Sequence, residues 1–168
     1  MGDSQETVGA DRPAGSTVML VDALRKAGSD FELLPHPQTF TAAAEAHALG
    51  VLEQEVAKTL VLRDDRGGRI RAVLPASHRL DLEKLAREAG VQQVTLLAEP
   101  ELEGAYPQFE LGAVPPVSGP TDTVVVDRGL VAREHVVFEA GVHDMSVRVR
   151  MADLLAATTA VVADIAAD

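Results

Sequence analysis

A chain of 168 residues with 46% hydrophobic and only 3% aromatic side chains is long enough for one domain with an aliphatic core of its own. With no tryptophan, one tyrosine and four phenylalanines it has little to offer as a stacking platform for single strands, and with no cysteine it has no disulfide, thiolate zinc site or cysteine nucleophile. The formal charge of -11, from 26 acidic against 15 basic side chains, argues against a broad duplex-binding face, which needs many cations, but allows a partner that presents one or two phosphates to a local positive pocket.

No apolar run approaches the roughly 18 residues of a membrane-spanning helix, and Met1–Glu6 has neither the basic patch nor the apolar core of a secretory leader. The expectation is a soluble, cytoplasmic protein with no membrane contact. Residues 1–16 are polar and without period, and read as a disordered tail ahead of a domain over 17–168. Val18, Leu20, Val21 and Leu24 then recur near helical spacing over Thr17–Lys26, and Gly28 stops the run. Asp30–Pro35 reads as a short strand whose proline cannot donate to a ladder and so belongs at an edge or an end. After the loop His36–Phe40, Thr41 is placed to cap a helix over Ala42–Leu49 that Gly50 closes, with Glu45 one position beyond a capping box.

A turn around Glu53–Glu55 leads into Val56–Leu62, a β-branched and leucine-rich run joined through Asp64–Gly68 to the matching run Ile70–Leu74: a β-hairpin. Lys58 is its anomaly. If the strand alternates, Lys58 shares a face with Leu60 and Leu62, so the ammonium either snorkels to water at a strand end or faces a cavity. Pro75–Arg79 is a loop, and Asp81 caps a helix over Leu82–Glu88 with Leu82, Leu85 and Ala86 inward and Gly90 at its end. Val91–Thr95 is a short strand, and Glu99–Glu103 opens a short helix with proline in its first turn. Leu111–Pro120 holds two glycines and three prolines and must be a shaped, stiff loop. Thr123–Asp127 and His135–Ala140 are strands; Gly141–Asp144 turns the second into Ser146–Arg150, and Asp153–Ala163 is an alanine-rich closing helix. Short strands with helices between some of them indicate an α+β (mixed α/β) single domain with a mixed, partly antiparallel central sheet flanked by helices.

The five histidines lack the spacing of a metal cluster and read as scattered surface or loop residues. Neither a Gly-x-Ser-x-Gly elbow nor a Walker or dinucleotide loop is present, and Ser77, His78 and Ser118 have no partner pattern. Arg66, Arg69 and Arg71 read as a solvated hairpin edge, and Glu53, Glu55, Asp64 and Asp65 as solvated turn acids. Two features remain for chemistry: Lys58, and Gly112–Pro116, where glycine permits close approach of backbone to a ligand and proline fixes the direction of neighbouring amides and carbonyls. By itself that loop is also compatible with a rigid surface turn.

In order along the chain, His36-Pro37, Ala46 to Val51, Val56-Ala57-Lys58-Thr59-Leu60, Asp81-Leu82 with Lys84-Leu85-Ala86, Gly112-x-x-x-Pro116, Val126-Asp127, Ala140-Gly141 and Asp153-Leu154 resemble the YbaK/ProX-type aminoacyl-tRNA deacylase family, also found as the editing insertion of bacterial prolyl-tRNA synthetases. The resemblance runs from about Val18 to the C-terminus. It implies a YbaK-like fold and trans-editing hydrolysis of the ester of mischarged tRNA, with a small amino acid such as Ala or Cys on tRNA(Pro), and without protein nucleophile, metal or cofactor. It places the family's lysine on Lys58 as the catalytic residue. Thr59, Gly112, Ala113, Val114, Pro115, Pro116, Gly141, His143, Ser146 and His36 fall beside the substrate. The implied partners are the acceptor end of mischarged tRNA and an aminoacyl-tRNA synthetase; oligomeric state is not written in the sequence. Two positions depart from the pattern: an aspartate of some relatives falls on Ser146, and a tyrosine of some members falls near Leu34. The first motivates an alternative, a non-catalytic aminoacyl-tRNA or nucleotide-binding module of the same fold.

Overall fold

The computed structural model describes residues 15–168. The expected tail over residues 1–16 lies outside the described residues except for Gly15 and Ser16, which open the first helix, α1 (Gly15–Lys26). The chain continues through β1 (Phe31–Pro35), α2 (Ala42–Leu49), a 3-10 turn at Glu53–Glu55, β2 (Ala57–Asp64), β3 (Arg69–Pro75), α3 (Leu82–Ala89), β4 (Val94–Leu96) and α4 (Glu99–Ala105). It ends with β5 (Thr123–Asp127), the single turn α5 (Arg128–Val131), β6 (His135–Val142), β7 (Met145–Arg150), α6 (Met151–Thr158) and β8 (Val161–Ala163). None of the described helices is long and apolar enough to cross a membrane.

The hairpin forms as its residues dictate. β2 and β3 pair antiparallel with Lys58 opposite Leu74, and the turn is held by Asp64, whose Oδ1 accepts from the amides of Arg66 at 2.7 Å and Gly68 at 2.9 Å while Gly67 takes φ +84. β4 adds antiparallel to β2, β5 adds parallel to β3, and β8 adds parallel to β5, giving the order β4-β2-β3-β5-β8. β3 is the central strand, and its apolar residues are buried on both faces, Val73 in one cluster and Ile70 with Ala72 in another. The remaining strands make a second, antiparallel sheet in the order β1-β7-β6, with the proline-ended β1 at its edge. The expected central sheet is thus two sheets, joined near one end by a bridge between Val56 and Val137. Between them lies the main core, where Leu20 and Leu24 of α1 and Leu154 of α6 pack on Val73, Val126, Val136, Phe138 and Val147.

The expected caps are present. Thr41 accepts from Ala44 N, Asp81 accepts from Glu83 N and Lys84 N, and Gly50 and Gly90 close their helices at φ +67 and +70. Other expectations need correction. The closing helix ends at Thr158, because Thr159 turns left-handed at φ 50 and the β-branched Val161–Val162 pair joins the sheet edge beside β5. Leu82, the first residue after its cap, is 43% exposed instead of inward. Gly141 lies inside β6, not in the turn. It sits at φ +87 in a register shift between Glu139 and Val142, with Phe109 and Ser16 so close that a Cβ there would stand 2.9 Å from Phe109 Cδ1. Arg71 is not on a solvated edge: it is buried in the middle of β3.

Candidate active site

Where β2 starts, near the bridge between the sheets, a cavity of about 300 Å³ opens. Ala57, Lys58, Thr59 and Leu60 of β2 line it together with Phe40, Thr41, Ala42, Ala43 and Glu45 from the second helix and its entry, Gly112 from the stiff loop, Ala76, and Glu139 of β6. Lys58 is half-buried and makes no ion pair among the described residues. Burial, and secondarily the positive field of Arg79, hold its ammonium below the ordinary lysine range. An ammonium kept without a counter-charge in a small cleft is set to receive an anion from outside the protein.

The loop that brings Gly112 to this cavity owes its shape to Arg71. Its Nη1 donates to Pro115 O at 2.7 Å, its Nη2 to Pro120 O at 2.8 Å and its Nε to Asp122 at 2.9 Å. Three bonds to one planar fork tie two prolines of the loop to the central strand. Asp122 also takes Arg69 at 3.3 Å and the Tyr106 hydroxyl, and burial followed by the Asp122 bond pushes that phenol up to about 12. Gly112 itself has φ +85, a backbone conformation in which a side chain is strained.

Behind the cavity wall two histidines are buried, against the expectation of scattered surface imidazoles. His36 Nδ1 donates to Pro37 O at 2.8 Å, its Nε2 stands 2.8 Å from Ser146 Oγ, and Ser146 Oγ stands 2.5 Å from Glu45 Oε2. His143 Nε2 donates to Leu111 O at 2.7 Å and its Nδ1 meets Glu139 Oε2 at 2.8 Å. Burial is the main reason that Glu45 rises to about 7, with the Ser146 bond opposing it, and that Glu139 rises to about 9, with the charges of Glu45 and Glu110 adding to it. Phe40, 70% exposed at the mouth, sets its ring 5.0 Å from that of His143.

Of the residues expected at the site, Lys58, Thr59 and Gly112 line the cavity directly. His143, His36 and Ser146 form the layer behind it, bonded to Glu139, Glu45 and Leu111 O. Ala113, Val114, Pro115 and Pro116 are buried in the loop's own packing, and Gly141 packs against α1 and Phe109, away from the lining. Glu45, read from the sequence only as lying near a helix cap, Arg71, read as a solvated edge, and Glu139 and Phe40 were not expected at the site. A carboxylate inside the alanine-rich Ala42–Leu49, and another inside the valine-rich His135–Val142, were the available signals. Among the described residues no three His, Asp or Glu side chains are grouped to hold a metal ion.

Residues 36–157, which contain the lysine, both buried histidines and the stiff loop, match the sequence model described as the aminoacyl-tRNA editing domain. The chain belongs to the aminoacyl-tRNA editing domain family. It is 30% identical over 86 residues to a protein of Enterococcus faecalis named as a candidate Cys-tRNA(Pro)/Cys-tRNA(Cys) deacylase, EbsC; that alignment takes in 51% of this chain and 52% of the relative, about half of each. Among solved structures, hypothetical protein APE2540 superposes with a TM-score of 0.82 at 32% identity over 89% of this chain and 99% of that one. A protein named as a candidate trans-editing enzyme for prolyl tRNA synthetase does so with a TM-score of 0.83 at 26% identity over 94% of this chain and 100% of that one. The α+β fold is therefore that of trans-editing domains, with its two sheets, and the cavity lies within the matched segment.

In this editing domain the raised acid on β6 makes stability depend on pH. Glu139 binds its proton at about 9 in the folded chain against 4.5 when free, so between those values the folded state holds more protons and loses stability as pH rises. Glu139→Gln removes that dependence. Thermal melts are expected to show the variant level with wild type near pH 4.5 and ahead of it at pH 8, by up to about 5 kcal/mol. A variant less stable than wild type at pH 8 would show that the carboxylate is held favourably.

Proposed function

We propose that this protein is a trans-editing aminoacyl-tRNA deacylase that hydrolyses the ester of a small amino acid, alanine or cysteine, on mischarged tRNA(Pro). The observation that carries the reading is a desolvated lysine that makes no ion pair among the described residues, lining a small cavity together with Gly112. Lys58 Nζ takes the phosphate or sugar oxygens of the terminal adenosine, so its desolvation is offset when substrate arrives. Backbone groups at Gly112 sit where an aminoacyl carbonyl can be held without a side chain in the way. A water oxygen adds to the ester carbonyl carbon, aided by a ribose hydroxyl of the substrate; the bond from that carbon to the ribose oxygen breaks, the ribose oxygen leaves with one of the water's protons, and the amino acid departs as its carboxylate with the other proton released to solvent.

A strongly acidic chain that grips only the acceptor end needs few phosphate contacts, so deacylation should depend shallowly on salt. The substrate places the protein in the cytoplasm, with a prolyl-tRNA synthetase as the source of its mischarged tRNA. Ser146, the departure that motivated a non-catalytic module, is wholly buried between His36 and Glu45 and presents nothing to the cavity, whose carboxyls come from Glu45 and Glu139 instead.

The test is release of labelled amino acid from a panel of mischarged tRNAs that includes Ala-tRNA(Pro) and Cys-tRNA(Pro). Clearance of at least one well above the spontaneous rate is expected. Tight binding of a non-hydrolysable aminoacyl-adenosine analogue with no clearance of any tRNA would make the protein a binding module. Equal turnover of simple amino-acid esters would make it a hydrolase with no tRNA function.

A further inference from the structure

The cavity wall carries a proton that neither Lys58 nor the Gly112 loop accounts for. Leu111 O can only accept, so His143 Nε2, 2.7 Å away, bears hydrogen. Nδ1 then faces Glu139 Oε2 across 2.8 Å with one proton between them. Either a neutral acid donates to a neutral imidazole, or an imidazolium donates to a carboxylate. The neighbouring series of bonds can be counted in the same way: Pro37 O fixes hydrogen on His36 Nδ1, and the two contacts of Ser146 Oγ, to His36 Nε2 and to Glu45 Oε2, hold the hydroxyl's own hydrogen and one further proton.

The surroundings decide where the proton of the Glu139 pair rests. The Glu139 side chain is only 11% exposed. Glu45 faces it from α2 and Glu110 from the segment after α4, and both charges oppose its ionisation. Ser146, its partner on β7, gives its hydroxyl to the Glu45 chain. Lys58 lines the same cavity from β2, and no ion pair joins it to Glu139 among the described residues. A dry carboxyl with acids on two sides holds its proton.

We propose that Glu139 is a positioning residue of the editing reaction and that it works as the neutral acid: it donates to His143 Nδ1, which keeps the His143 hydrogen on Nε2 and ties Leu111 O, and with it Gly112, to the wall of the Lys58 cavity. The imidazole is well placed for this. Its Cε1 stands 3.7 Å from where a Cβ on Gly112 would be, and its ring lies 5.0 Å from that of Phe40 at the mouth. One side chain therefore supports both the loop and the aromatic group at the entrance. If Glu139 ionised, the imidazole would have to take up the proton or turn a bare Nδ1 toward an anion, and the Leu111 tether would be reset.

The inference rests on the cavity being the editing site, so its test has one arm that needs no turnover. Nitrogen-15 spectra of the histidine rings of the full chain, with His143→Gln used for assignment, are recorded at pH 7.5. Wild type is expected to show His143 as the neutral tautomer with hydrogen on Nε2. Glu139→Gln, whose amide N–H can donate from the same place, keeps that signature, and Glu139→Ala exchanges between tautomers. An imidazolium His143 in wild type that becomes neutral in Glu139→Gln would overturn the proposal. In the second arm, with Ala-tRNA(Pro) and Cys-tRNA(Pro) as probes, Glu139→Ala is expected to lower kcat by about tenfold or more with KM changed less than about threefold, and Glu139→Gln to return to within about threefold of wild type. A Gln variant as slow as the Ala variant, with the ring signature intact, would show that the carboxylate itself acts and would also overturn it. Absence of turnover in every variant, with the expected ring signatures, counts against the deacylase reading and leaves the dyad standing.

Discussion

Lys58→Ala is expected to lower kcat/KM on the preferred mischarged tRNA by about 100-fold or more, a transition-state loss of roughly 3 kcal/mol, while leaving the melting temperature unchanged or higher. The two halves of that expectation come from the same fact. The ammonium is held below its ordinary range by burial and by Arg79, so in the unliganded protein its charge is a cost. The sign follows from linkage: with the folded value depressed, the unfolded chain binds more protons in the window below 10.5, and stability rises with pH there. Removing the group relieves that cost and breaks no ion pair among the described residues. The benefit of the charge arrives with a phosphate or sugar oxygen of the substrate, so its loss is read in activity. Lys58→Arg tests geometry, since a planar fork differs from a point charge in a cavity of about 300 Å³, and is expected to recover only part of the loss. A Lys58→Ala protein that deacylates at the wild-type rate would remove the basis of the proposed mechanism.

Local rules carried much of the fold in the sequence. Thr41 and Asp81 cap where their side chains can reach the next amides, Gly50 and Gly90 end helices where φ turns positive, and the turn after Asp64 closes the hairpin. What escaped was set by partners distant in the chain. Val161–Ala163 continues an alanine-rich helical run in composition, and only the free edge of β5 makes it a strand. Leu82 fits the inward spacing of its helix, yet it sits on the first turn and stays 43% exposed.

The site divides along the same line. Lys58 stood out because a charge in an apolar strand is costly wherever that strand goes, and Gly112–Pro116 because its composition forbids regular structure. Glu139 and His143 are only four residues apart, but their significance depends on Leu111 O, 32 positions away from His143, which fixes the proton count. The setting of Ser146 escaped for a related reason. Compared by position it stands where some relatives have an acid, whereas in space it bridges His36, 110 positions away, to the carboxyl of Glu45, 101 positions away.

Arg71→Met should be the most destabilising single change at the site's foundation, costing about 3–5 kcal/mol and lowering the melting temperature by roughly 10 °C. Methionine nearly matches the volume, so the loss is not a cavity effect. The Arg71 side chain is 2% exposed and its Asp122 partner 1%, so truncation leaves a buried carboxylate with only Arg69 and the Tyr106 hydroxyl, and leaves Pro115 O and Pro120 O without donors. Stacking over the Tyr106 ring, with Arg71 Cζ 5.2 Å from its centroid, is lost as well. Arg71→Lys should recover less than half, because a lysine cannot reach three acceptors held in one plane. The double variant Arg71→Met, Asp122→Asn should be more stable than the sum of the two single losses, since the stranded charge is gone. Activity should fall in Arg71→Met beyond what unfolding explains, because the Gly112 loop loses its tie to β3. Calorimetry of the four proteins with deacylation at a temperature where all are folded separates the two effects: a double variant whose losses simply add would show that Arg71 and Asp122 do not act as a pair, and a fully active Arg71→Met would show that the loop keeps its shape without the guanidinium.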